Sequence, residues 1–269
     1  MSVVAAAATP RVNMSALRWI GFKTIVIREY GRIIRIWAQT IVPSAVTAVL
    51  YFAIFGSLIG RRVGVMGGFD YKQYIAPGLI MMSVITNSYG NVVASFFGAK
   101  FGKHVEELLV SPLPNWLIVS GYIGGGILRG VLVGSVVTIV SLFFTRLALS
   151  HVMAVVTAVL LTSMVFALGG LINALFAKNF DQISWFPTFV LTPLTYLGGV
   201  FYSTTMLPGW ARMISHANPI LYMVSAFRYG FLGTTDVDLR LAYGIMVSAA
   251  GGMFALAVTL LNRGTGIRD

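Results

Sequence analysis

Residues 147–177 read LALSHVMAVVTAVLLTSMVFALGGLINALFA, without one Asp, Glu, Lys or Arg. A bilayer core is crossed by about 20 apolar residues in helix, so this stretch is long enough to span it. A surface helix of a soluble domain would carry a polar face, and this run has none. Backbone groups in hydrocarbon must be satisfied within the segment, so the run is expected to close its own hydrogen bonds as a helix. Working outward, five further stretches have the same character, and the spans are expected at about 37–60, 74–99, 115–145, 150–177, 183–203 and 239–262. The fold class is therefore all-α: a polytopic membrane protein with six transmembrane helices. Residues 1–14 are expected to be a flexible tail, and residues 15–269 one transmembrane domain.

The composition agrees. Apolar residues make up 57% of the chain and charged residues 10%, against about 25% charged in average soluble domains. A net charge of +11 would point to nucleic acid in a soluble protein. Here the basic residues flank the spans, where they meet anionic headgroups, so membrane lipid is the expected partner and nucleic acid is not. The chain has no Cys, hence neither disulfides nor thiol chemistry. With the N-terminus inside and six spans, eleven Lys and Arg fall on inner segments and seven on outer ones. That bias places both termini in the cytoplasm.

Residues 15–36 are expected to form an amphipathic interface helix. At about 100° per residue, Arg28, Arg32 and Arg35 share one face, and Trp19, Val26, Tyr30, Ile33 and Trp37 lie roughly opposite. Such a helix suits the inner membrane surface, or simply flanks the first span. Between spans two and three, residues 100–114 read KFGKHVEELLVSPLP. Phe97, Phe101, Val105 and Leu108 fall on one helical face, and Pro112 and Pro114 end the helix. Glu106, Glu107 and His104 add polar groups on this cytoplasmic side. An ordinary inner loop is the plain alternative to a docking element.

Polar side chains at membrane depth face other helices or a water-filled path. Those here are Asn87, Tyr89, Asn91, Asn173 and Tyr196. Arg129 is the one charge inside a span, roughly 20 Å from the start of span three at 1.5 Å per residue. It is either a polar element of a transport path or a clamp between helices. Gly126, Gly130 and Gly134 in the same span suit close helix packing, within the chain or across a dimer seam. Beyond span five, an apolar stretch is broken by Pro208, Gly209 and Pro219. Two short re-entrant outer helices over 204–232 are expected there, with Trp210 and Tyr222 as interfacial anchors and Asn218 and Pro219 at the joint.

Catalytic chemistry is not expected. The chain lacks the GxxxxGK[ST] phosphate loop and the GxSxG and HExxH motifs. Its three His are scattered, so no metal site is expected.

The order of basic helix, two spans, EELLVSPLP (106–114), then FPTFVLTPLTYLGGVFYS (186–203) and NPILYMVSAFRYGFLG (218–233) resembles the ABC-2 type transporter permeases, in particular the bacterial inner-membrane ones. The resemblance covers nearly the whole chain. It implies a half-transporter: a homodimeric channel of two copies, driven by two copies of a separate ABC ATPase subunit. ATP and Mg would sit on that partner, with no cofactor on this chain. It also implies that residues 100–112 are a coupling helix contacting the ATPase, through Phe101, His104, Val105, Glu106, Glu107 and Leu108. Family substrates span drugs, polysaccharides and lipid-linked sugars, so no substrate carries over; export is the expected direction. The competing reading is a self-contained secondary transporter or channel, against which stands the lack of a mid-membrane Asp, Glu or Lys and of an inverted repeat. A passive membrane scaffold is a third.

Overall fold

In the computed structural model, which describes residues 14–266, five helices are long and apolar enough to cross a membrane. They are Trp37–Val63, Tyr71–Phe101, Asn115–Leu142, Val152–Phe176 and Leu239–Arg263. The tail expected at 1–14 lies outside the described residues except for Met14, which opens a helix.

Helix α1 (Met14–Arg35) leads into α2 (Trp37–Tyr51) with only Ile36 between them, where φ −107° and ψ 25° kink the chain. Pro43 is accommodated within the second turn of α2. The helix then widens to π-helical turns over Phe52–Ile59 and closes with α3 (Gly60–Val63). The Gly-rich segment between the first two long helices forms a hairpin. β1 (Val65–Met66) pairs antiparallel with β2 (Phe69–Asp70) across Gly67 and Gly68, whose φ of 60° and 86° a side chain would resist.

Helix α4 (Tyr71–Phe101) is the central post, packed against both α6 (Asn115–Leu142) and α7 (Val152–Phe176). The packing is made possible by small residues. A Cβ on Gly170 would lie 2.5 Å from the Tyr89 carbonyl oxygen, so α7 and α4 touch backbone to backbone. The α6 glycines work within the chain. Gly121 meets Ile25, Gly125 meets Glu29, Gly126 meets Ala167 and Val92, Gly130 meets Ser88 and Ser163, and Gly134 meets Val84. Of the two uses open to this glycine run, it serves intrachain packing.

The stretch expected as span five, 183–203, is helical over 180–196 only, in three pieces: α8 (Phe180–Phe186), a π-helical stretch (Pro187–Leu191) and α9 (Thr192–Tyr196). It ends in a turn in which Gly199 has φ 72°. Pro187 and Pro193 remove two amide donors, which explains the irregular pitch. The last third of the expected span is therefore not helix. After a 3-10 turn at Thr204–Met206 come α10 (Gly209–Ala217) and α11 (Pro219–Leu232), then α12 (Leu239–Arg263).

Candidate functional site

Helix α1 does not stand apart from the bundle. Its residues 21, 25 and 29 meet Leu113, Gly121 and Gly125, so it runs alongside the first half of α6 in the same direction. Ile25, Glu29 and Ile33, spaced by four, form the buried edge of α1. Glu29 is 1% exposed, a carboxylate carried into the bundle by the stripe that carries two isoleucines.

Burying a carboxylate requires partners, and α1, α4 and α6 supply them. Arg32 Nη2 donates to Glu29 Oε2 at 2.8 Å, to Asn91 Oδ1 at 2.7 Å and to the Asn91 carbonyl at 3.1 Å. Ser95 Oγ donates to Glu29 Oε1. Arg28 lies 3.9 Å from Glu29 and donates to Tyr122 Oη at 2.6 Å, its guanidinium also standing over the Tyr122 ring. Two of the three arginines placed on the basic face of α1 thus reach α4 and α6, while Arg35 stays exposed.

Arg129 sits one turn beyond Gly125 on α6, within electrostatic reach of Arg32. It makes no hydrogen bond or ion pair among the described residues, and its Nε is buried without a partner. The reading of Arg129 as a helix clamp therefore has no bond to rest on. Nearby, Arg32 Nε, Asn91 Nδ2, Ser88 Oγ and Ser163 Oγ are also buried and unpartnered. Glu29 thus answers Arg32 and Arg28, and Arg129 has no carboxylate partner among the described residues.

One turn back along α4, Asn87 Nδ2 donates to Ser44 Oγ at 3.2 Å and to the Ser83 carbonyl at 3.0 Å. It helps line a cavity of about 150 Å3 between α2 and α4, with Ser44, Thr47, Tyr51, Ser83 and Thr86. Tyr196, 41% exposed, shares a 3.0 Å hydrogen bond with Tyr51, joining the end of α9 to the end of α2. Asn173 is elsewhere: its Nδ2 donates to Tyr89 Oη at 2.7 Å, tying α7 to α4. The five polar residues expected to line one path are therefore split among three places around α4.

Helix α5 (His104–Val110) follows α4 after Lys103, whose φ of 59° turns the chain sharply. Val105 is 2% exposed, and Leu108 packs against the core. That corrects the expected ridge: Val105 faces the bundle and anchors the segment, as Phe97 does on α4, and of that face Phe101 is the exposed member. His104, Glu106, Glu107 and Val110 face outward. Phe101 is 66% exposed and packs on Phe97 and Phe180. Lys100 Nζ donates to the carbonyls of Leu175 and Ala177, both at 2.7 Å, capping the end of α7.

At the opposite end, Trp210 is exposed on α10. Asn218 caps α11, accepting from Ile220 N at 3.0 Å and donating to the Leu194 carbonyl at 2.6 Å, with Pro219 in the first helical position. Tyr222 is buried and donates to the His216 carbonyl at 2.9 Å, so it bonds α11 to α10 and is no interfacial anchor. Sequence reasoning missed the companion feature. Arg228, counted among the outer cations, is 1% exposed. It donates to the Gly199 carbonyl at 2.6 Å, lies 4.0 Å from the Tyr74 ring centre and 3.8 Å from Asp236. Asp236 also accepts from Tyr74 Oη at 2.9 Å and Ser203 Oγ at 3.0 Å. No spacing announces this cluster. Glu29 did leave a signal, as the lone acid set at intervals of four between Ile25 and Ile33.

Known proteins place this architecture. The chain is 53% identical over 256 residues to the inner membrane transport permease YadH of Escherichia coli K12, covering 95% of this chain and all of that protein. It is 24% identical over 216 residues to nodulation protein J of Neorhizobium galegae, covering 80% of this chain and 82% of the relative. Nodulation protein J of Rhizobium leguminosarum bv. viciae is 25% identical over 219 residues, covering 80% and 83%. The model of the ABC-2 type transporter family matches residues 20–232. With that match across most of a multi-pass chain, the protein belongs to the ABC-2 type transporter family, as a membrane permease of the bacterial inner membrane.

Proposed function

We propose that this chain is the channel-forming subunit of an exporter, working as a homodimer above two copies of a separate ATPase that binds ATP and Mg. The observation that carries the reading is α5. It is a short helix held to the bundle by Val105, and it offers His104, Glu106, Glu107 and the Phe101 ring outward at the end of the central post. Motion of a partner under this helix would pass directly into α4 and, through Lys100, into the end of α7. The transport name of the 53% identical relative supports the same reading.

In this reading the helical stretch 180–196 is the fifth of six crossings, and both termini are cytoplasmic. At 1.5 Å per residue its 17 residues reach about 25 Å, enough to cross a locally thinned bilayer. The path runs along one face of α4, past Asn87 and Tyr196 and, one turn further, Asn91 and Arg129, with Asn173 setting the α7 wall. The helices α10 and α11 close the outer end, with Trp210 at the lipid interface and Asn218 and Pro219 at the hinge.

The test is to co-purify the permease with the ATPase expressed beside it and to measure ATP hydrolysis in proteoliposomes. The double change Glu106→Lys and Glu107→Lys reverses the outward charge of α5 without touching its buried side. Loss of the ATPase or of its stimulation, with insertion intact, is the expected result. Wild-type stimulation would place the docking surface elsewhere. Transport driven by a proton gradient without ATPase would favour the secondary-transporter reading.

A further inference from the structure

We propose that Arg129, Arg32 and Asn91, with Arg28 at the rim, form a binding site for a phosphate group. The site lies where three helix stripes face one another: 28, 29 and 32 on α1, 88, 91 and 95 on α4, and 122, 125 and 129 on α6. Its formal charge is that of three guanidiniums and one carboxylate. Glu29 answers Arg32 at 2.8 Å and Arg28 only at 3.9 Å, and it leaves Arg129 without an ion-pair partner among the described residues.

An excess of partly buried cation is expensive unless something neutralises it. The unpartnered donors point to what would. Arg129 Nε, Arg32 Nε and Asn91 Nδ2 are all buried N–H groups without an acceptor, and Asn91 is 0% exposed. Ser88 and Ser163, also 0% exposed, leave two further hydroxyls unpartnered against Gly130, in the seam of α4, α6 and α7 behind this stripe. An unoccupied set of donors around positive charge matches an oxyanion with several acceptor oxygens, and guanidiniums bind phosphate with two parallel hydrogen bonds. A carboxylate would satisfy fewer of these donors.

The site also has a way in. The Arg28 side chain is 45% exposed and that of Arg32 28%, so the cluster opens on the α1 side while Asn91 and Ser88 close its floor. Gly130 lets Ser88 approach the α6 backbone at that floor, since a Cβ there would sit 2.0 Å from Ser88 Oγ. The phosphate has two possible carriers, the headgroup of a membrane phospholipid or a water-soluble phosphorylated cargo. The chemistry of the site is the same for both. Binding here needs only the permease, so it stands or falls apart from the ATPase coupling proposed above.

The test uses the full-length permease in nanodiscs of neutral phosphatidylcholine, measured by thermal unfolding and by native mass spectrometry. One arm adds phosphatidic acid to the nanodisc, and the other adds inorganic pyrophosphate to the buffer. Arg129→Gln is compared with wild type, with Arg129→Lys, and with Arg146→Gln as a charge control away from the site. Wild type is expected to bind at least one phosphate probe about tenfold more tightly than Arg129→Gln, the scale of one lost charge-assisted hydrogen bond. Arg129→Lys should recover part of that affinity, and Arg146→Gln should match wild type. In phosphatidylcholine alone, whose phosphate is already paired with its own choline cation, and without either added probe, Arg129→Gln should be at least as stable as wild type, because repulsion from Arg32 is relieved. A helix clamp would give the opposite. Response to phosphatidic acid alone assigns a lipid headgroup, and response to pyrophosphate assigns a soluble phosphorylated ligand. Equal binding of both probes by wild type and Arg129→Gln, or binding by neither protein, overturns the proposal.

Discussion

At the scale of single residues, Glu29 shows how a charge becomes buried in this protein. It lies on the stripe of α1 that Ile25 and Ile33 bury, so the helix cannot dock without it. Its oxygens are then met by Arg32 and Ser95. Removing one member of a buried ion pair strands the other, so Glu29→Ala is expected to cost on the order of 3 kcal/mol, the low end because Arg32 keeps 28% of its side chain exposed. Glu29→Gln should cost less, since the amide oxygen still accepts from Arg32 or Ser95. Thermal unfolding of the two variants in detergent checks this ordering, and equal losses would mean that shape and not charge fixes the contact.

At the scale of elements, the informative case is the pair α4 and α5. A helical face drawn straight through Phe97, Phe101, Val105 and Leu108 assumes one continuous helix. Lys103 in left-handed conformation breaks it, and α5 restarts with Val105 inward, as Phe97 is, while Phe101 between them is left exposed. The outward surface of α5 is consequently acidic and polar at its centre, where the sequence pattern suggested an apolar ridge. Val105→Asp should release α5 from the bundle, because an unpaired carboxylate cannot stay at a position 2% exposed. The expected readout is faster proteolysis within 102–112 in the detergent-solubilised protein, with the rest of the digestion pattern unchanged. An unchanged cleavage rate would show that α5 is held by other contacts. The π-helical stretches follow a related logic. They lie in the helix of the first span and in the segment 180–196, and the Tyr51–Tyr196 bond joins those two elements, a link that no local pattern carries.

For the whole molecule, the open structural question is whether residues 180–196 cross the membrane. Five crossings by the long helices alone would put residue 234 on the cytoplasmic side and residue 263 outside. A sixth crossing reverses both. The Cys-free chain makes the test direct. With Cys placed singly at Val65, Glu106, Thr234 and Arg263, impermeant thiol reagent on intact cells is expected to label 65 and 234. Positions 106 and 263 should label only after permeabilisation. Labelling of 263 in intact cells would leave five crossings.

The sequence alone determined that this is a helical membrane protein, where its five long helices lie to within about three residues, and which family it belongs to. The reason is that water is absent from hydrocarbon: a charge-free run of sufficient length has helix as its solution whatever its neighbours do. The long hydrophobic run and the two proline-broken segments were therefore legible one residue at a time. What only the tertiary structure decided concerns pairs of elements. The docking of α1 along α6, the burial of Glu29 and Arg228, the inward turn of Val105 and Tyr222, and the contacts of Arg28 with Tyr122 and of Arg32 with Asn91 all join residues far apart in the chain. Such contacts depend on which helix faces pack together and on the rotation that each break in the chain imposes. A hydropathy pattern records how apolar a segment is, and it holds no term for the partner that segment will meet.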